Sequence, residues 1–206
     1  MARVPSRLPS IFENTAHSRN CRSAYAAHLI STALLHRVFT PFLFGLGRRS
    51  DDTAGLLTDV SDQLRTKSAR REAIWRQHTL LAAYTTTDAK LRMNKEAGKV
   101  MDDIVSAISP FVGDEARIDE LRAAVRKVVK LAVETWRYAR LERERIEAFM
   151  PSMNYQDGDV AEEGFWQPFE IGEGSVTKSY GSQQVTGQLQ LRVFPIVRRE
   201  RVQAPL

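Results

Sequence analysis

Residues 114–149 read DEARIDELRAAVRKVVKLAVETWRYARLERERIEAF. Ile118, Leu121, Val125, Val128, Val129, Ala132, Trp136, Ala139, Ile146 and Phe149 recur at helical spacing and form one apolar stripe, roughly eight turns long. Asp114 can cap the first turn, Glu115 sits where an acid favours the positive end of the helix dipole, and Pro151 stops the run. The other positions carry Arg117, Arg122, Arg126, Lys127, Lys130, Arg137, Arg140, Arg143 and Arg145 among six acids. A long amphipathic helix follows from this spacing, and with it an all-α fold. Mixed signs make the charged face a solvated surface. Phosphate binding wants a patch free of interleaved acids, so nucleic acid is disfavoured as a partner, and Arg122, Arg126, Lys127 and Lys130 stand as the candidate basic surface.

Upstream, no proline occurs from Thr53 to Ser109. Apolar residues recur at Leu56, Leu57, Val60, Leu64, Ile74, Trp75, Leu80, Leu81, Tyr84, Leu91, Val100, Met101, Ile104, Val105 and Ile108, with a helical period throughout. One helix of that length is far above the usual ~11–12 residues. Breaks are therefore expected at Thr85-Thr86-Thr87-Asp88, where β-branched stiffness meets a capping residue, and more weakly near Thr66–Ser68. Pro110 and Gly113 end the run, and Ser50-Asp51-Asp52-Thr53 supplies caps for its start.

Ser23–Leu46 is the most hydrophobic stretch, but His28, His36 and Arg37 interrupt it. An Arg at the centre of a spanning helix costs about 2.5–3.5 kcal/mol, so a transmembrane reading is disfavoured. Tyr25, Leu29, Leu35, Val38, Phe39 and Phe42 share a broad face instead, which fits a buried core helix bent or ended by Pro41. The alternative is an interfacial membrane helix.

The chain has 206 residues, 43% of them hydrophobic and 27% charged, with eleven glycines and eight prolines. Its 23.3 kDa suffice for one domain or two small ones, burying about 70% of the extended-chain surface. This profile excludes collagen-like and wholly disordered classes. One cysteine, Cys21, excludes an intramolecular disulfide and suggests a reducing, intracellular compartment, cytoplasmic or nuclear. The net charge of +5 belongs to the N-terminus: residues 1–50 carry seven arginines, no lysine and only Glu13 as an acid. Residues 1–22 read as a basic disordered leader. The alternative, a mitochondrial transit peptide, matches in composition but meets Pro5 and Pro9.

Residues 151–206 read as a tail. Gln156–Gly174 carries Asp157, Asp159, Glu162, Glu163, Glu170 and Glu173 without a base, around Phe165, Trp166 and Phe169. Acids flanking aromatic anchors suit docking, by attraction to a basic surface followed by burial of the rings. Phe165, Trp166 and Phe169 are thus the candidate docking residues, in cis against Arg122–Lys130 or in trans against another protein. Val185, Leu189, Leu191 and Val193 alternate with polar residues, and Ser175–Tyr180 could pair with them as a short β-hairpin.

Catalytic, cofactor and metal signatures do not emerge. His17, His28, His36 and His78 do not fall at ligand spacing with Cys21 or each other, and Gly45-Leu46-Gly47 lacks the Lys-Ser/Thr of a P-loop. Cys21 has no evident orienting partner, and no Gly-x-Ser-x-Gly elbow exists. Trp75 and Trp136 at apolar helical positions are expected core anchors.

The run Ala27-His28-Leu29-Ile30 through Arg37-Val38-Phe39-Thr40-Pro41-Phe42-Leu43-Phe44, with Arg71-Glu72-Ala73-Ile74-Trp75-Arg76 and Trp136-Arg137-Tyr138-Ala139-Arg140, resembles the helical C-terminal region of large uncharacterised proteins of filamentous fungi. The likeness covers residues 17–151. It implies a helical interaction region without assigned catalytic residues, and a piece or short version of a longer architecture. The expected fold is all-α: a bundle of about three to five helices over 23–150 with an extended tail. The expected function is non-enzymatic, as an interaction or scaffold protein with no cofactor, acting on a protein partner or by self-association. The alternatives are a peripheral membrane or organelle-associated protein using residues 1–46, and nucleic-acid binding through the arginines of 114–150.

Overall fold

A computed structural model of the protein describes residues 14–40, 42–45, 51–112, 114–150 and 193–200. Five α-helices lie among them: α1 (Ala16–Leu34), α2 (Asp51–Lys67), α3 (Ala69–Thr85), α4 (Ala89–Ile108) and α5 (Glu115–Leu141). A two-stranded antiparallel ribbon follows, β1 (Ile146–Phe149) with β2 (Ile196–Arg199). The fold is all-α with a short antiparallel β element.

The helix ends follow local chemistry. Thr15 caps α1 by accepting from the Ser18 amide at 3.1 Å, so the helix begins seven residues before the expected Ser23 and inside the stretch read as leader. Its last turn widens into a π-helix over Leu35–Phe39, and the amide and hydroxyl of Thr40 both donate to the Leu35 carbonyl at 2.8 Å, just before Pro41. The weaker break at Thr66–Ser68 is real: Ser68 is extended and accepts from the Arg71 amide at 3.3 Å, separating α2 from α3. The break at Thr85–Asp88 is real too, with Thr86 extended and Asp88 in the N-cap position of α4. A 3₁₀ turn at Ser109–Phe111, with Pro110 inside it, closes α4, and Asp114 accepts from the Ala116 amide at 3.1 Å to start α5.

The expected helix over 114–149 stops at Leu141, and Ile146 and Phe149 stand in β1. After Ala139 the next stripe positions are Glu142 and Arg143, so another turn has nothing apolar to bury. Glu142 is extended, and β1 pairs in the register Ile146↔Arg199 to Phe149↔Ile196. Of the expected strand through Val185, Leu189, Leu191 and Val193, only Val193 is described, and it is buried just ahead of β2 and not within a strand; the rest of it, its Ser175–Tyr180 partner, and Phe165, Trp166 and Phe169 lie outside the described residues.

α4 and α5 form one helical hairpin and α2 and α3 another, with α1 on α4 and α3 on α5. The main core joins Leu34, Val38, Phe44, Val100, Ile104, Ile108, Val125, Val129 and Trp136. Phe39 packs on Trp136 with ring centroids 4.7 Å apart. A smaller cluster holds Phe42, Leu43 and Leu80, with Trp75 half-buried against Phe42 at 5.6 Å. Of the described apolar residues in Ser23–Leu46, Leu34, Leu35, Val38, Phe42, Leu43 and Phe44 are buried, and Tyr25, Leu29, Ile30 and Phe39 are half-buried. No described helix is long and apolar enough to cross a membrane. Leu56, Ile74, Leu81 and Leu91, all part of the helical apolar pattern, are exposed.

Candidate interaction surface

α5 has two apolar faces. Val125, Val129 and Trp136 are buried, with Ile118, Leu121, Ala132 and Ala139 beside them. The outward face carries Ala124, Val128, Leu131, Thr135 and Tyr138, all exposed, with Leu121 half-buried at its upper end. Leu131 is 66% exposed, Tyr138 62% and Val128 41%, although the sequence pattern put Val128 on the inner stripe and left out the other two. Steps of three, four, three, four and three residues from Leu121 to Tyr138 keep these six on one seam, the spacing of a and d positions in a heptad. That regular spacing is the signal by which the sequence shows the seam.

Arg122, Arg126, Lys127 and Lys130 are exposed on the same helix. Among the described residues, no carboxylate lies within 4.0 Å of any of them. Lys127 and Glu134 sit seven residues apart along one edge of the seam, and neither forms an ion pair with a described residue. The candidate basic surface and the exposed seam therefore share a helix of 27 residues, about 40 Å long.

Behind this surface lies an arginine network that sequence reading missed. Glu72 is 0% exposed and Arg76 2%. Arg76 Nε donates to Glu72 Oε1 at 2.8 Å, and the Ser61 hydroxyl meets the same oxygen at 2.8 Å. Glu72 Oε2 faces Arg65 Nη1 at 3.8 Å. The guanidinium of Arg76 then reaches across to the end of α5, where it donates to the carbonyls of Arg140, of Glu142 at 3.0 Å and of Arg143 at 3.4 Å. Gln77 Nε2 donates to the Leu141 carbonyl at 2.7 Å. The last carbonyls of a helix lack partners within it, and here α3 supplies the donors. In sequence, Glu72-x-x-x-Arg76 has the form of an ordinary surface i,i+4 pair. Only its phase with Ala73 and Leu80 on the inner face of α3 marks it as buried.

Arg140 lies next to this network. Burial and the charges of Arg76 and Arg145 push its guanidinium down to about 10, which leaves it cationic at neutral pH. It donates to the Phe42 carbonyl at 3.3 Å and lies over the Phe42 ring, 5.1 Å from the centroid. Burial, against the opposing pull of Arg140 and Arg137, raises Tyr84 above its usual 10.0. These side chains border a narrow crevice, with room for about one water, that has Trp136 and Phe44 in its walls.

Arg37, on the π-helix, bridges two positions of α4, with Nη2 at 3.1 Å from Glu96 and Nη1 at 2.9 Å from Asp103. Burial opposes the charge of Glu96, but Lys99 and Arg37 outweigh it and hold the carboxyl below 4.5. Among the described residues, no three His, Cys, Asp or Glu side chains converge to hold a metal ion. Cys21 is half-buried, and His36 and His78 are exposed.

Compared with protein-family models, with curated proteins and with solved structures, the chain matches none.

Proposed function

We propose that the protein is a non-enzymatic helical interaction module, with the outward face of α5 as its recognition surface. One observation carries this reading: Val128, Leu131 and Tyr138 are exposed on a single seam, edged by Lys127, which has no described carboxylate partner. Large apolar side chains gathered in one exposed line mark an association site more often than chance exposure does. A seam at heptad spacing takes a helix, packing knobs into holes. Charges at the edge of such a surface set orientation and speed of encounter more than affinity. The resemblance to a helical region of large fungal proteins points the same way, toward a scaffold role.

The test places a benzoylphenylalanine photocrosslinker at position 131 of the full chain, with a second at His78 as an exposed control on α3. Irradiation alone and in cell extract should give discrete adducts from position 131 and not from position 78. Equal or absent adducts at the two positions would remove the assignment.

A further inference from the structure

The seam carries information about what covers it. In heptad terms Leu121, Val128 and Thr135 occupy a positions, and Ala124, Leu131 and Tyr138 occupy d positions. The e positions, Val125, Ala132 and Ala139, turn into the protein's own core. Only the g edge is free to meet a partner, and it reads Glu120, Lys127, Glu134. Two antiparallel helices place g beside g, whereas parallel helices place g beside e.

We propose that the occupant is a second copy of this chain, its α5 antiparallel to the first about a two-fold axis between residues 129 and 130. This rests on the reading of α5 as the recognition surface. In that register Val128 meets Leu131 of the partner subunit, and Ala124 meets Thr135 of the partner subunit. Leu121 meets Tyr138 of the partner subunit. Each contact occurs twice, as an isologous interface requires. Along the g edge Lys127 comes beside Glu134 of the partner subunit, also twice. The helix's own charges are therefore complementary to themselves in this orientation. A parallel pair sets these charges against the buried Val125 and the half-buried Ala132 and Ala139, with no ionic partner. Six side chains per subunit make a small interface, so the dimer dissociates on dilution.

Sedimentation of the full chain over a wide concentration range reads the assembly, and circular dichroism checks that each variant is folded. The wild type should approach twice its 23.3 kDa mass with rising concentration. Leu131→Asp should weaken association at least about tenfold without changing the fold, because it puts a charge at the centre of the seam. Lys127→Glu and Glu134→Lys should each weaken it several-fold, and Lys127→Glu combined with Glu134→Lys should restore it. A wild type that stays monomeric, or a dimer indifferent to Leu131→Asp, overturns the proposal. A dimer that Leu131→Asp abolishes, but whose single charge variants either do not weaken it or are not rescued by the double exchange, overturns the antiparallel register. A monomer whose position 131 still crosslinks to residues 156–174, or to another protein, leaves α5 as the recognition surface and removes the second copy as its occupant.

Discussion

Arg76 shows how much one side chain can hold. A buried guanidinium needs partners for its N–H groups, and four bonds supply them here, one to Glu72 on its own helix and three to carbonyls at the end of another. Arg76→Ala leaves the buried Glu72 carboxylate with only the more distant Arg65 as a cation and strips three carbonyls at the end of α5 of their donor, and should cost about 3–5 kcal/mol in chemical denaturation. Trp136 is the corresponding apolar anchor, 6% exposed and packed against Phe39. Trp136→Ala should likewise lose about 3–5 kcal/mol, measured the same way. A variant of Trp136 that keeps the wild-type midpoint would contradict its place in the core. By contrast, Leu131→Asp should move the unfolding midpoint of the monomer little, within about 0.5 kcal/mol, because its side chain already meets water.

Among elements, the β ribbon depends most on charge. An isolated two-stranded ribbon is marginal in water, and this one is four residues long on each side. It is held by Glu147 against Arg198 at 3.2 Å, by Arg199 against Glu144, and by the Glu200 amide donating to the Arg145 carbonyl at 2.9 Å. Arg145 ties it to α2 through Asp62 at 2.5 Å while also reaching Glu147 at 3.1 Å, and Arg65 pairs with Glu200. Partly exposed ion pairs contribute about 0–1 kcal/mol each. Arg145→Ala should therefore leave global stability nearly unchanged and speed amide exchange selectively at 146–149 and 196–200. Uniform exchange changes extending into α4 would show that the ribbon is not a separate opening unit.

For the whole molecule, the bridge from Arg37 to α4 ties the first segment to the main helical hairpin, and it sets an acid limit. The Glu96 carboxyl is held below its usual 4.5, so the unfolded chain takes up the proton first. The stabilisation is present above the unfolded value and is lost as pH falls through the folded one. Wild-type stability should fall on acidification below about 4.5, whereas Glu96→Gln lacks this component. The difference between the two in denaturant midpoint should shrink as the solution becomes acidic. A difference that stays constant down to low pH would separate Glu96 from the acid response.

Much of this organisation is written locally. Thr15, Ser68, Pro110 and Asp114 punctuate the chain because caps and prolines act on their immediate neighbours, and the recurrence of apolar residues at helical spacing dictates the all-α fold with its breaks at 66–68 and 85–88. The inner stripe through Val125, Val129 and Trp136 is legible for the same reason. What local pattern leaves open is which of several apolar lines turns inward, since Leu131, Tyr138, Ile74 and Leu81 are as hydrophobic as their buried neighbours. Tertiary packing decided that: α4 and α3 can cover only one side of α5, and the side they leave becomes the exposed seam. It also decided where α5 ends, because Arg76 takes its terminal carbonyls from a helix 64 residues away in sequence, and it joined β1 to a strand from the far end of the chain. Those choices depend on partners distant in sequence, and no periodicity within a single segment encodes them.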